Sequence, residues 1–211
     1  MILISFYTKN TIYEKEIEDL SISCKALGIE HYIEARVDLG SWEKNCCQKP
    51  LFILECLERF KRPLLWVDAD GIVLQKPQLD FAGWDMALYF NDLPSQHVRA
   101  ATLYVEPTQN TFDFLDLWHK TAQEKIANRE ELPYGDQAIL IQLLRGKKIP
   151  LKIAELPLEY TAIFDRDPVE IGKTVVLHFQ ASRTARMDPL FWQQLSGQEL
   201  KAIRIASSNN N

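Results

Sequence analysis

The segment that most limits the possible folds is Leu64-Leu65-Trp66-Val67, a wholly apolar run that passes straight into Asp68-Ala69-Asp70-Gly71. A strand apolar on both faces must be covered on both, which calls for a sheet with helices above and below it. Ile2 to Tyr7 has the same character. Between these runs, Thr11 is placed to cap a helix through about Leu27, with Ile12, Ile17, Leu20, Ile22 and Leu27 near helical spacing and Gly28 as its stop. His31 to Val37 reads as another strand, and Pro50 opens a helix carrying Leu51, Ile53, Leu54, Leu57 and Phe60. Strands are also expected at Asp85 to Phe90, Ala101 to Val105, within Ile149 to Leu156, and at Thr174 to Phe179. Helices are expected at Asn110 to Asn128 and Asp136 to Arg145. Strand alternating with helix predicts an α/β sandwich, at least in the N-terminal half.

Composition narrows the function classes. A 211-residue chain that is 46% hydrophobic and 25% charged supports one substantial globular domain. No linker or repeat divides it, so the expected domain spans 1–205, followed by a polar, disordered tail over 206–211. The net charge of −5 argues against a general nucleic-acid binder. Cys24, Cys46, Cys47 and Cys56 contain no CxxC pair, and adjacent Cys46 and Cys47 suit neither a zinc site nor a mutual bridge. They read as reduced thiols. The opening apolar run turns polar at Thr8-Lys9-Asn10, too short for a leader or a membrane span. The expectation is a cytoplasmic protein, not integral to a membrane, with peripheral attachment to the inner face of a membrane left open.

Asp68 and Asp70 stand at the carboxyl end of a buried strand, the edge where open α/β sheets bind ligands. Paired carboxylates are hard ligands suited to Mg²⁺ or Mn²⁺, with coordination positions to spare for diphosphate oxygens. The plainer alternative is a solvated Asp-X-Asp-Gly turn.

Leu64-Leu65-Trp66-Val67-Asp68-Ala69-Asp70 resembles the DXD segment of GT-A glycosyltransferases. Further stretches resemble that family in the same order: Tyr7-Thr8, Lys49-Pro50-Leu51-Phe52-Ile53, Gly135-Asp136-Gln137-Ala138-Ile139-Leu140 and His178-Phe179-Gln180. The resemblance runs from Met1 to about Arg186. It implies a GT-A-like single domain, with a mixed, mostly parallel central sheet flanked by helices and a Rossmann-like N-terminal half, that passes a sugar from a nucleoside diphosphate sugar, UDP being the implied nucleotide, to a hydroxyl of a glycan, lipid or protein acceptor. It implies Mn²⁺ or Mg²⁺ held by Asp68, Asp70 and His178. Tyr7 and Thr8 would hold the base, Asp68 would approach the ribose, Lys49 would reach the phosphates or the sugar, and Asp136 and Gln137 would border the donor sugar or the acceptor. The set leans toward the retaining enzymes. In family 8 glycosyltransferases the late histidine precedes a glycine and a Lys-Pro-Trp element; here Ser182-Arg183-Thr184-Ala185-Arg186 follows, so Arg183 or Arg186 takes the lysine's place at the diphosphate.

Each of these residues also has a plainer reading. His178 suits a hydrogen-bonded structural role, Asp136 a helix N-cap, Lys49 a solvated surface position, and Trp66, Trp118 and Trp192 core or rim packing. Two other functions compete. Asp68-Ala69-Asp70-Gly71-Ile72-Val73 resembles the nucleophile loop of haloacid-dehalogenase-type phosphatases, with Asp68 attacking phosphorus. However, Ile72 replaces that loop's threonine, and two strands precede a motif that normally opens that fold. The third reading is a non-catalytic sugar-nucleotide-binding protein.

Overall fold

The computed structural model describes residues 1–92, 97–132, 134–170 and 172–181. Residues Met1–Phe179 form one unit and Gln180–Asn211 a second, of which only Gln180 and Ala181 are described. The expected boundary at 205, the tail over 206–211, Arg183, Arg186 and Trp192 lie outside the described residues.

In chain order the elements are β1 (Ile2–Thr8), α1 (Tyr13–Ala26), β2 (His31–Arg36), α2 (Trp42–Cys46), α3 (Lys49–Phe60), β3 (Leu64–Val67), β4 (Gly71–Val73), β5 (Met86–Asp92), β6 (His97–Val105), α4 (Gln109–Ala127), α5 (Asp136–Gly146), β7 (Ile153–Glu155), a 3₁₀ turn at Leu158–Tyr160, β8 (Ala162–Ile163) and β9 (Val176–His178). Six strands form one sheet in the order β2-β1-β3-β6-β5-β7. β1 runs parallel to β2 and β3, and β5 parallel to β7, while β6 is antiparallel to both its neighbours. A smaller sheet orders β4-β9-β8.

The pleat divides the core. Ile2, Ile4, Phe6, Leu64 and Trp66 face α3, α4 and α5, where Phe52, Leu57, Phe114, Trp118 and Leu140 meet them. Leu3, Leu65 and Val67 point the other way, onto Ile17 and Leu20 of α1 and Val73 and Val176 of the small sheet. Each such fully buried side chain contributes about 1.5–3 kcal/mol through burial. This two-sided demand is why the central strands are apolar without alternation. On α1 only part of the expected apolar set faces inward: Ile12 and Ile22 are exposed.

Helix ends follow local chemistry. Gly28, at φ +60°, lets the chain leave α1 in the left-handed region that L side chains disfavour. The expected Thr11 cap is replaced by a turn. Ile12 occupies the N-cap position, and the Thr11 hydroxyl donates to the Thr8 carbonyl at 2.8 Å while accepting from Tyr13 N at 3.3 Å. Asp136 is likewise not the cap of α5; Gly135 holds that place, and Asp136 is the first helical residue. Of Ile149 to Leu156, only Ile153–Glu155 pairs as a strand. All four cysteines are free thiols. Among the described residues no helix is long and apolar enough to cross a membrane.

Candidate active site

Because β1, β2 and β3 run parallel, their carboxyl ends share one edge of the sheet. At the end of β3, Asp68 N donates to Ala101 O at 2.9 Å, and Gly71 N turns back to Asp68 O at 2.9 Å. The chain then enters β4, where Gly71 lies opposite His178 of β9, and Phe179 N donates to Asp70 O at 3.0 Å. Gly71 is required by space: a Cβ there would lie 2.7 Å from Val67 Cγ1 and 3.2 Å from both Asp68 O and His178 Cε1. This close approach brings the acidic turn against the imidazole. His178 is fully buried, with Nε2 2.8 Å from Thr102 Oγ1 and Nδ1 3.6 Å from Asp70 Oδ1. Nδ1 makes no hydrogen bond.

Lys49, at the start of α3, lies under the same edge. Its side chain is only 5% exposed, yet Nζ reaches Asp68 Oδ1 at 3.0 Å, Asp136 Oδ2 at 2.9 Å and the Ala100 carbonyl at 3.0 Å. It also lies 5.3 Å from the centre of the Trp66 ring, a cation–π contact. Trp66 Nε1 donates to Asp68 Oδ1 at 2.8 Å, and Trp118 Nε1 to the Asp136 carbonyl at 3.2 Å. Both indoles therefore anchor site residues as well as filling the core. Gln137 Oε1 accepts from Ala100 N at 3.1 Å, so β6 holds Lys49 through one backbone group of Ala100 and Gln137 through the other.

One cation serves two carboxylates, and the charges are held unequally. Burial disfavours the Lys49 ammonium, but Asp136 and Asp68 outweigh it and keep Lys49 protonated. Burial pushes Asp136 up to about 6; Lys49 draws it down and the Asp68 charge pushes it up. Asp68 is also raised, by burial first, with Lys49 opposing and Asp70 adding to it. A third of the Asp68 side chain remains solvent-reachable, which softens that shift.

The edge continues into α1 and α2. Tyr13 OH accepts from Trp42 Nε1 at 3.0 Å, and burial, followed by the charges of Asp70 and Asp68, holds the phenol well above its ordinary range. Gly135, at φ +55°, fits against α2: a Cβ there would lie 3.0 Å from Cys46 Cβ. The structure thus brings together Lys49, Asp68, Asp70, Asp136, Gln137 and His178. Tyr7 and Thr8 end β1 on the same edge, with Thr8 buried and its hydroxyl 3.0 Å from that of Thr11. Sequence reasoning missed Tyr13, Trp42 and Thr102. Tyr13 carried a faint signal, an aromatic residue five positions past the end of a parallel strand; Thr102 carried none.

Asp70 and His178 face one another as two members of a metal shell would, and the unpartnered Nδ1 suits a ligand. Asp68 commits Oδ1 to Lys49 and Trp66. Among the described residues no three His, Cys, Asp or Glu groups stand together as a preformed metal cage.

No protein-family model and no curated protein sequence matches this chain. Among the solved structures that resemble it are two glycosyltransferases. One is a glycosyltransferase involved in the glycosylation of the major capsid of PBCV-1, at 17% identity and a TM-score of 0.65, with the match covering 85% of this chain and 92% of that one. The other is the glycosyltransferase GlyE of Streptococcus pneumoniae TIGR4, at 15% identity and a TM-score of 0.56, covering 84% of this chain and 54% of that one. This chain therefore spans about half the length of GlyE. At such identities the likeness is one of fold, and the fold is the GT-A-like α/β fold of these glycosyltransferases.

Proposed function

We propose that this chain is a glycosyltransferase that moves a sugar from a nucleoside diphosphate sugar, with UDP as the nucleotide, to an acceptor hydroxyl on a glycan, lipid or protein. The observation that carries this reading is Lys49 clamped between Asp68 and Asp136 beside the Asp70–His178 pair, at the sheet edge where α/β folds bind ligands. Mn²⁺ or Mg²⁺ would be held by Asp70, His178 and Asp68, with Asp68 loosening one contact to Lys49 or Trp66 to join the shell. When bound, such a cation supplies charge neutralisation for a departing diphosphate.

The chain's own residues do the rest. Lys49 fixes the orientation of both flanking carboxylates and places positive charge beside the donor. Gln137, tied through Oε1 to β6, presents its amide N–H groups to a sugar hydroxyl. Asp136 is 4% exposed and paired with Lys49, so it is poorly placed to take a proton from an incoming acceptor; this favours the retaining class, which needs no dedicated base there. Tyr7 and Thr8 border the base, while the diphosphate contact expected of Arg183 falls outside the described residues. A cytoplasmic location belongs to the same proposal, since it would keep the four free cysteines reduced.

The test is titration with UDP-sugars with and without Mn²⁺, followed by donor hydrolysis and an acceptor screen. Metal-dependent binding with turnover is expected, and Asp70→Asn should abolish the turnover while leaving the protein folded. Binding with no turnover on any acceptor favours a non-catalytic binder. Hydrolysis of a phosphomonoester through a trapped aspartyl-phosphate favours a phosphatase. Full activity in Asp70→Asn refutes the mechanism.

A further inference from the structure

His178 presents two buried ring nitrogens in unlike surroundings. Nε2 lies 2.8 Å from the hydroxyl of Thr102, itself fully buried, whereas Nδ1 faces Asp70 Oδ1 at 3.6 Å and has no hydrogen-bond partner. A neutral imidazole carries its proton on one nitrogen and a lone pair on the other. With the proton on Nδ1, a buried N–H would point at a carboxylate from beyond hydrogen-bond range. With the proton on Nε2, the N–H is satisfied by Thr102 Oγ1, and the Nδ1 lone pair and the Asp70 carboxylate stand side by side as two adjacent electron-pair donors.

Thr102 serves either arrangement, since its hydroxyl donates to an Nε2 lone pair as readily as it accepts from Nε2–H; a cation lodged between Nδ1 and Asp70 selects the second. Thr102 pairs with Val67, the residue before Asp68, and Asp68 N itself bonds to Ala101 O of the same strand. The ladder that fixes the acidic turn therefore also fixes the hydroxyl. A β-branched side chain is stiff about χ1, so the hydroxyl is held in place. His178 belongs to the small sheet and Thr102 to the large one, and their hydrogen bond links the two.

We infer that Thr102 is a positioning residue for a divalent cation: with the cation between Nδ1 and Asp70, its hydroxyl accepts from His178 Nε2–H, holds that tautomer and keeps the Nδ1 lone pair on the Asp70 side. This rests on the metal-dependent reading above. A partner at the distal nitrogen of a metal-binding histidine typically changes affinity 10–100-fold.

The experiment measures Mn²⁺ binding to the protein alone, without donor, in the wild type, Thr102→Val, Thr102→Ser and His178→Ala, alongside ¹⁵N spectra of the histidine rings in the wild type loaded with diamagnetic Mg²⁺ at alkaline pH, where imidazoles are neutral. The expected result is an Nε2–H signature for His178 in the Mg²⁺-loaded wild type and Mn²⁺ binding weakened about tenfold or more in Thr102→Val. Thr102→Ser should restore it. Urea midpoints show whether the valine variant is folded; if it is not, the serine variant and the wild-type spectrum decide. An Nδ1–H signature in the Mg²⁺-loaded protein overturns the inference. So does unchanged Mn²⁺ affinity in Thr102→Val when His178→Ala has lost it, a result that leaves the proposed function standing. Failure of the wild type to bind Mn²⁺ at all removes the proposed metal site and this inference with it.

Discussion

Replacing Lys49 by Met isolates the electrostatic centre of the site. Methionine keeps an unbranched apolar stem and removes the charge that lies 5.3 Å from the centre of the Trp66 ring, 3.0 Å from Asp68 and 2.9 Å from Asp136. Asp136 is 4% exposed, so its carboxylate is left buried without a cation and facing the charge of Asp68. Removing one partner of a buried pair costs about 3–5 kcal/mol. For a chain of this size that corresponds to roughly 6–20 °C in melting temperature. The loss depends on pH with a definite sign. Asp136 already sits near 6 in the folded protein, and losing the downward pull of Lys49 raises it further above its unfolded value. A carboxyl raised in the folded state binds more protons there than in the unfolded chain, so stability falls as pH rises between the two values. The Lys49→Met deficit should thus be smallest near pH ~4, close to the unfolded carboxyl value, and full above the raised folded one. Urea denaturation of both proteins across this range measures it, and adding Asp136→Asn to Lys49→Met should recover part of the loss. Equal stability at neutral pH, or a deficit that widens on acidification, would refute the reasoning.

Gly71→Ala forces a methyl to within 2.7 Å of Val67 Cγ1, against a fully buried strand, and should destabilise the protein by about 1–3 kcal/mol in urea melts. Gly135→Ala adds a methyl 3.0 Å from Cys46 Cβ at a positive φ and should cost a similar ~1–3 kcal/mol, read by the same melts. Burial opposes ionisation of Asp85, but the Lys152 N–H at 2.7 Å, Thr108 and Asn110 hold its carboxyl below the usual range. Its contribution is therefore present above the unfolded value of about 3.9 and is lost as pH falls through the folded one. Asp85→Asn should lower neutral-pH stability by ~1.5–3 kcal/mol and flatten the acid limb of the stability curve. A variant with the same acid limb as the wild type would exclude Asp85 as its source.

What could be read in advance was whatever the chain encodes locally. Leu64 to Val67 and Ile2 to Tyr7 declared themselves because a strand covered on both faces has no polar side to hide, and α4 and α5 fell within one or two residues of expectation. Gly71–Val73 went unseen because three residues after an acidic turn carry no period, and their strand exists only through pairing with Val176–His178 about a hundred positions later. Lys49 shows the same limit from the other direction. Its side chain could be assigned to a phosphate by resemblance or to solvent by composition. That it is buried between two carboxylates follows only from α3 lying beneath the edge of β3. Thr102 is the extreme case, an unremarked β-branched residue in a strand, whose hydroxyl matters because the antiparallel placement of β6 sets it opposite Val67 and beneath the imidazole. The residues that touch charge had a signature in the chain, namely acids and a base at the ends of apolar runs. The residues that orient them had none, because orientation is a property of register, and register is decided between strands rather than within one.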